Sequence, residues 1–111
     1  MTDIKNKILK LVNKNNEYVL ALSGGVDSAV LASIFNELNL SYRTIFVNHN
    51  QKDSSLLQKS AEEIAKNLET SHENIITDLE DNASETKMRE KRYGLLFDNL
   101  KKNEILVTGH H

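Results

Sequence analysis

Short apolar runs and longer amphipathic stretches alternate along the chain, four of each. Stretches whose apolar residues recur at three- and four-residue spacing predict helices over 2–15, 27–38, 54–68 and 83–102. The apolar runs between them predict strands over 18–22, 42–47, 74–79 and 104–108. The first of these, Tyr18-Val19-Leu20-Ala21-Leu22, is apolar without alternation, as a parallel strand covered on both faces should be. Strands joined through helices of this length need crossover connections, and these are right-handed almost without exception. The expected fold class is therefore α/β, a doubly wound parallel sheet with helices on both faces. No helix follows 104–108, so this reading has the domain interrupted, or truncated, after its fourth strand.

Composition narrows the classes without choosing a function. A chain of 111 residues, 39% hydrophobic and 27% charged, fits one small globular domain and is neither disordered nor collagen-like. With no cysteine, disulfides, thiolate metal sites and cysteine nucleophiles are excluded within these residues. No apolar run approaches the roughly 18 to 20 residues of a membrane span, and Lys and Asn break the first fourteen positions, so no membrane association and a cytoplasmic address are expected. The net charge of -2 hides an asymmetry: nine acidic and two basic residues over 53–85, but six basic and three acidic over 83–102. That contrast fits either two solvated helix faces or a phosphate-rich partner on one side.

The strongest chemical signal is Ser23-Gly24-Gly25-Val26-Asp27-Ser28, set between the first strand and a helix whose apolar positions include Val26, Ala29, Val30, Ile34 and Leu38. Paired glycines let a backbone turn at positive φ and approach a ligand, while the free N–H groups and dipole of a helix start favour an anion. Phosphate is the natural occupant. A Walker A loop would need a lysine, and none stands between Lys14 and Lys52; the G-x-G-x-x-G spacing is also absent. A carboxylate at Asp27 repels bare phosphate, so beside a nucleotide it would ligate a bridging magnesium ion. Otherwise Asp27 or Ser23 would serve as a helix cap.

The helix over 83–102 carries a second signal. At 100° per residue, Glu85, Arg89 and Arg92 fall within about 40° of Leu96 and share an arc with Met88, Leu95 and Leu100. Two arginines are thus expected on the core-facing side, where each needs a counter-charge. Glu85 and Arg89 are spaced to pair with each other. Arg92 has no acidic neighbour on its own face, which makes it the better candidate for an anionic ligand.

The hexapeptide resembles the S-G-G-x-D-S pyrophosphate loop of the N-type ATP pyrophosphatases, the PP-loop family, which split ATP between its α and β phosphates and leave an adenylated substrate. Three further stretches resemble the lysidine synthetases within it. Phe46-Val47-Asn48-His49 looks like their V-[ND]-H signature, although a buried structural His49 reads equally well. Glu85 to Tyr93 is similar to their E-x-x-x-R-x-x-R-Y helix, and Val107-Thr108-Gly109-His110-His111 looks like [TA]-[AG]-H-H.

The resemblance implies an adenine nucleotide alpha hydrolase-like fold and ATP-dependent ligation of lysine to C2 of the wobble cytidine of tRNA(Ile), through an adenylated tRNA. It implies ATP and Mg2+ as cofactors, tRNA(Ile) and free lysine as partners, and leaves a homo-oligomer open. It also implies nucleotide contacts at Ser23, Gly24, Gly25, Val26, Asp27, Ser28, Asn48 and His49. Asp27 would hold the metal, and Asp27, Arg89, Arg92 and His110 would take part in the chemistry. Residues 1–111 would be the N-terminal portion of the ATP-binding domain, without the acidic D-D-Q-x-E-T segment or any tRNA-recognition domain. The alternatives are another PP-loop enzyme, such as a tRNA thiolation enzyme or a GMP synthetase-like protein, and a nucleotide-binding piece with no turnover of its own.

Overall fold

A computed structural model of the chain describes Ile8, Lys10, Val12, Asn13 and residues 15–77 and 84–108. Four strands, β1 (Glu17–Ala21), β2 (Ser41–Asn48), β3 (His72–Ile76) and β4 (Glu104–Thr108), form one parallel sheet in the order β3-β2-β1-β4. Three helices connect them: α1 (Val26–Glu37), α2 (Ser54–Asn67) and α3 (Glu85–Asp98). β1 is central because its Val19 and Leu20 have no exposed surface, and it pairs with β2 on one side and β4 on the other.

Side-chain alternation along the strands sorts the core into two layers. Tyr18 and Leu20 of β1 and Phe46 of β2 face Ala32 and Phe35 of α1 and Ala61 of α2. Val19, Ile45 and Val47 face the opposite way, onto Leu96 of α3. The sheet is thus flanked by helices on both faces, as the alternation of elements predicts. The expected helix over 2–15 lies mostly outside the described residues, but Ile8 and Val12 pack against the α1–α2 layer.

Element boundaries depart from expectation where polar groups set them. β3 starts at His72 rather than 74, because its polar residues are tied to neighbours. His72 Nδ1 meets Thr44 Oγ1 at 2.7 Å and its Nε2 meets Asn74 Oδ1 at 2.8 Å, while Asn74 Nδ2 donates to Glu62 of α2 at 3.2 Å. α3 begins at Glu85 because Ser84 Oγ caps it by accepting from Lys87 N. It ends at Asp98, short of 102, because the Asn99 side chain donates to the Leu95 carbonyl at 2.8 Å and turns the chain out of the helix.

A tie that the apolar pattern does not foretell crosses over β1 near the sheet's N-terminal edge. Arg43 of β2 donates through Nε and Nη2 to the two carboxylate oxygens of Glu104 of β4, each at 2.8 Å, and Nη2 also reaches the Asn99 carbonyl at 2.9 Å. This fork holds Glu104, 5% exposed, well below the usual carboxylate range, at about 2. The C-terminal end of α3 is thereby fixed to the sheet, and its N-terminal half reaches the opposite edge.

Candidate active site

Beyond the C-terminal end of β1 the chain makes the glycine loop, and two serines knit it together. Ser28 Oγ donates to the Gly25 carbonyl at 3.1 Å and accepts from Ser23 N at 3.1 Å and Ser23 Oγ at 3.2 Å. Gly24 takes φ +82°, and a Cβ there would lie 2.6 Å from the Leu57 carbonyl oxygen of α2. Its lack of a side chain is therefore required by the fold itself. Gly25 differs: its backbone is extended, and a Cβ there would meet only Ser23 Oγ, at 3.4 Å.

Gly25 is the N-cap of α1, and no side chain caps the helix. Asp27 therefore caps nothing, and Ser23 reaches only the N-cap residue itself, its Oγ accepting from Gly25 N at 3.3 Å; among the described residues the first-turn amides beyond Gly25 lack a side-chain acceptor. Asp27 is an exposed carboxylate in that first turn. Val26, expected on the buried stripe of this helix, is instead 78% exposed, because it stands in the first turn beyond the sheet edge.

A cavity of about 570 Å³ opens beside this loop, on the α3 side of the sheet. Its floor follows from strand alternation: Ala21, Val47 and Thr108 end the rows that point toward α3, and Ser23 and His49 extend them past the edge. Glu85, Met88, Arg89 and Arg92, spaced along one helical face of α3, form a wall. Lys52, Asp53 and Ser54, at the start of α2, form the rim. Asn50, with φ +58°, turns the chain between His49 and this rim, a conformation that asparagine tolerates better than most residues.

Two groups in the cavity lack partners. His49 is 7% exposed, and among the described residues neither ring nitrogen has a hydrogen-bond partner; Arg92 Nε is likewise buried and unpaired. Burial pushes the His49 imidazole below its ordinary value, and the nearby Arg92 charge pushes it further the same way. The ring is therefore neutral near neutral pH. Arg92 also sits 5.9 Å from the Tyr93 ring centroid, a cation–π contact that leaves its N–H groups available.

The residues singled out from the sequence fall into four groups. Ser23, His49, Arg89 and Arg92 line one cavity. Gly24 to Ser28 form the adjoining loop and helix start, with the Ser28 hydroxyl fully engaged inside the loop. Asn48 points elsewhere: its side chain donates to Gln58 of α2 at 2.8 Å and accepts from Asn50 N at 2.8 Å, so it braces the turn. Gly109, His110 and His111 lie outside the described residues.

Arg89 and Glu85 face the cavity as the helical wheel predicts but are exposed rather than core-buried, because α3 overhangs the sheet edge there. No Glu85–Arg89 ion pair forms among the described residues, since solvated charges at this spacing gain little from pairing. Lys52 and Ser54 were not expected at the site; the signal for them is Asn50, two positions before Lys52, at a turn-forming place.

For magnesium, Asp27 offers an exposed carboxylate in the first turn of α1, Asp53 and Glu85 add exposed carboxylates on the cavity lining, and no group of three metal-ligating side chains occurs among the described residues. That fits an ion held through one or two carboxylates together with nucleotide phosphates, and not an ion caged by protein alone.

A family model for the PP-loop domain matches residues 1–111. The tRNA(Ile)-lysidine synthase of Buchnera aphidicola subsp. Acyrthosiphon pisum is 36% identical over 107 residues, covering 88% of this chain and 24% of that protein. Its counterpart from Buchnera aphidicola subsp. Schizaphis graminum is 34% identical over 116 residues, covering 94% and 25%. The chain thus spans about a quarter of the length of these curated relatives. Among solved structures, an NH3-dependent NAD synthetase from Campylobacter jejuni superposes with a TM-score of 0.65 at 19% identity, covering 98% of this chain and 53% of the other. That likeness concerns the fold alone.

Proposed function

The chain belongs to the PP-loop family, and from that premise we propose that it supplies the ATP-binding part of a lysidine synthetase. In this reading the C2 oxygen of the wobble cytidine of tRNA(Ile) attacks the α-phosphorus of ATP and pyrophosphate leaves. The free amine of lysine then attacks C2, and the C2–O bond breaks to release AMP.

The observation that carries the reading is the juxtaposition of an uncapped helix start, at the glycine loop, with a cavity holding Arg89, Arg92 and a neutral His49. The first-turn amides of α1 would receive phosphate oxygens, where the helix dipole favours negative charge. Arg92, whose Nε has no hydrogen-bond partner among the described residues, would offset charge on the α-phosphate as the bond to pyrophosphate breaks. Arg89, exposed at the mouth, would meet the phosphate or the RNA backbone. Asp27 would hold magnesium, which supplies charge neutralisation across the leaving phosphates when bound. His110 is assigned to substrate orientation on resemblance alone.

The names of the relatives favour lysine and tRNA(Ile) as partners over those of a thiolation enzyme or a GMP synthetase-like protein. Among the described residues no helix is long and apolar enough to cross a membrane.

Calorimetric titration with ATP and magnesium tests the nucleotide reading. Gly25→Val has room in the fold but projects a side chain over the first-turn amides, so ATP affinity should fall at least about tenfold while the protein stays folded. Unchanged affinity in the folded variant refutes the loop assignment. Lysine- and tRNA(Ile)-dependent release of AMP, assayed on the same chain, tests the ligation.

A further inference from the structure

Three unpartnered polar atoms in one cavity call for a common ligand. Among the described residues His49 Nδ1, His49 Nε2 and Arg92 Nε are all shielded and unpaired, and burying such groups unsatisfied is unfavourable unless a ligand supplies the missing partner. The groups come from different elements, the end of β2 and the wall of α3, so neither helix nor strand formation explains their meeting. We infer that His49 and Arg92 form a single anion-binding pair, in which one phosphate oxyanion bridges Arg92 Nε–H and a His49 ring N–H and is taken up together with a proton. The inference rests on reading the cavity as a phosphate site and adds to it a residue pair and a proton.

The charges around His49 set the direction of the coupling. From α3 it is faced by Glu85, Arg89 and Arg92, and from the start of α2 by Lys52 and Asp53; the strand residues lining the cavity carry no charge. In the free protein, burial and Arg92 both disfavour the imidazolium. An oxyanion seated between the two cancels the Arg92 field and offers an acceptor to the protonated ring, reversing the second influence and opposing the first. The neutral ring then binds a proton because the anion is present. By linkage, the anion binds more tightly as pH falls toward the free histidine's titration. A phosphate suits the site better than a carboxylate because the helix start beside it and the cations Lys52, Arg89 and Arg92 can offset more than one negative charge.

The test is an NMR titration of the His49 ring in the full chain, with His49→Gln identifying its resonance. It is run free, with inorganic pyrophosphate, with ATP, and with acetate at equal concentration. Pyrophosphate should raise the His49 titration midpoint by about one pH unit, equivalent to about tenfold tighter binding of the protonated form. In Arg92→Ala the free midpoint should already be higher, and the rise on adding pyrophosphate should shrink by at least about half. Circular dichroism shows whether that variant is folded, and the wild-type titration stands without it. A midpoint that does not move with pyrophosphate overturns the pair, and an equal rise with acetate overturns the assignment to phosphate. Pyrophosphate moving His49 while ATP fails to bind would retain the pair and remove the nucleotide reading. ATP binding without moving His49 would do the reverse.

Discussion

Arg43 lies beneath the C-terminal end of α3, whereas Arg92 belongs to the middle turn of α3 and faces the cavity at the opposite edge of the sheet, and their surroundings are opposite in kind. At the N-terminal edge, Arg43 forks onto Glu104 and donates to the carbonyl that closes α3, so that its Nε and Nη2 both have close partners in the fold. At the C-terminal edge, Arg92 buries Nε with no partner beside a histidine in the same condition. A guanidinium surrounded by its own fold's acceptors holds that fold together. One that the fold buries without acceptors raises the free energy of the empty protein and lowers it again when an anion arrives. The two ends of α3 therefore divide the work: one is anchored, and the other lines the place where ligands bind in open parallel sheets, outside the carboxyl ends of the strands.

Removing each arginine should break that comparison open. Arg43→Ala leaves Glu104 largely buried without its counter-charge and should cost about 3 kcal/mol in denaturant unfolding, with ATP affinity changed little in the folded fraction. Arg92→Ala should leave stability unchanged or raise it, because it removes a buried donor that the empty protein does not satisfy, and should weaken ATP binding by at least about tenfold. Equal losses of stability in the two variants would erase the distinction between anchor and ligand group.

Acid sharpens the anchored end. Glu104 is lowered in the folded protein from 4.5 to about 2, so its ion pair contributes stability that is fully present above 4.5 and lost as pH falls from there toward 2. Glu104→Gln lacks this contribution at every pH. The stability gap between parent and variant, about 2 kcal/mol near neutrality, should therefore narrow steadily between about pH 5 and pH 3. A constant gap across that range would mean that Glu104 does not respond to Arg43 as the short fork implies.

The glycine loop offers a smaller contrast within the open end. Gly24 combines a left-handed φ with a Leu57 carbonyl where its Cβ would be, whereas Gly25 has an ordinary backbone and space around it. Gly24→Ala should cost about 1–2 kcal/mol and displace the loop against α2, and Gly25→Ala should leave the melting temperature nearly unchanged. If Gly25→Ala proved the more damaging to stability, the division between a folding glycine and a binding glycine would fail.

What the sequence discloses follows the same division. β4 falls on the expected residues 104–108, and the order of elements from β1 to β4 matches, because short apolar runs set between amphipathic stretches mark the strands. β3 slips because His72 and Asn74 take part in a polar chain from Thr44 to Glu62 that masks the strand's pattern. The Arg43–Glu104 fork escapes notice altogether, since its partners are 61 positions apart and only the strand order β2-β1-β4 brings them together. At the site, the glycine loop and Arg92 are visible from local spacing. Asn48 and His49, adjacent in sequence, had to be separated by parity: Asn48 follows Thr44 and Phe46 toward α2, while His49 follows Ile45 and Val47 toward α3. Reading that alternation would have assigned the first to the scaffold and the second to the cavity.

A small effect on stability is also expected at Asp27, and it separates the helix start from the ion. Its carboxylate is exposed in the first turn of α1 and caps nothing, so its contribution to folding is limited to a favourable interaction with the helix dipole, worth about 0.5 kcal/mol. Asp27→Asn keeps the size of the side chain and removes the charge. Without magnesium, the variant should bind ATP as well as the parent or better, because a repulsion with phosphate is gone. With magnesium, the parent should gain affinity and the variant should gain much less, since an amide is a poor ligand for a hard cation that prefers charged oxygen. Titrations with ATP in the presence of chelator and of excess magnesium give both differences in one pair of experiments. A sharp fall in melting temperature with an undiminished magnesium response would return Asp27 to a purely structural role and leave the loop to hold phosphate through its amides alone.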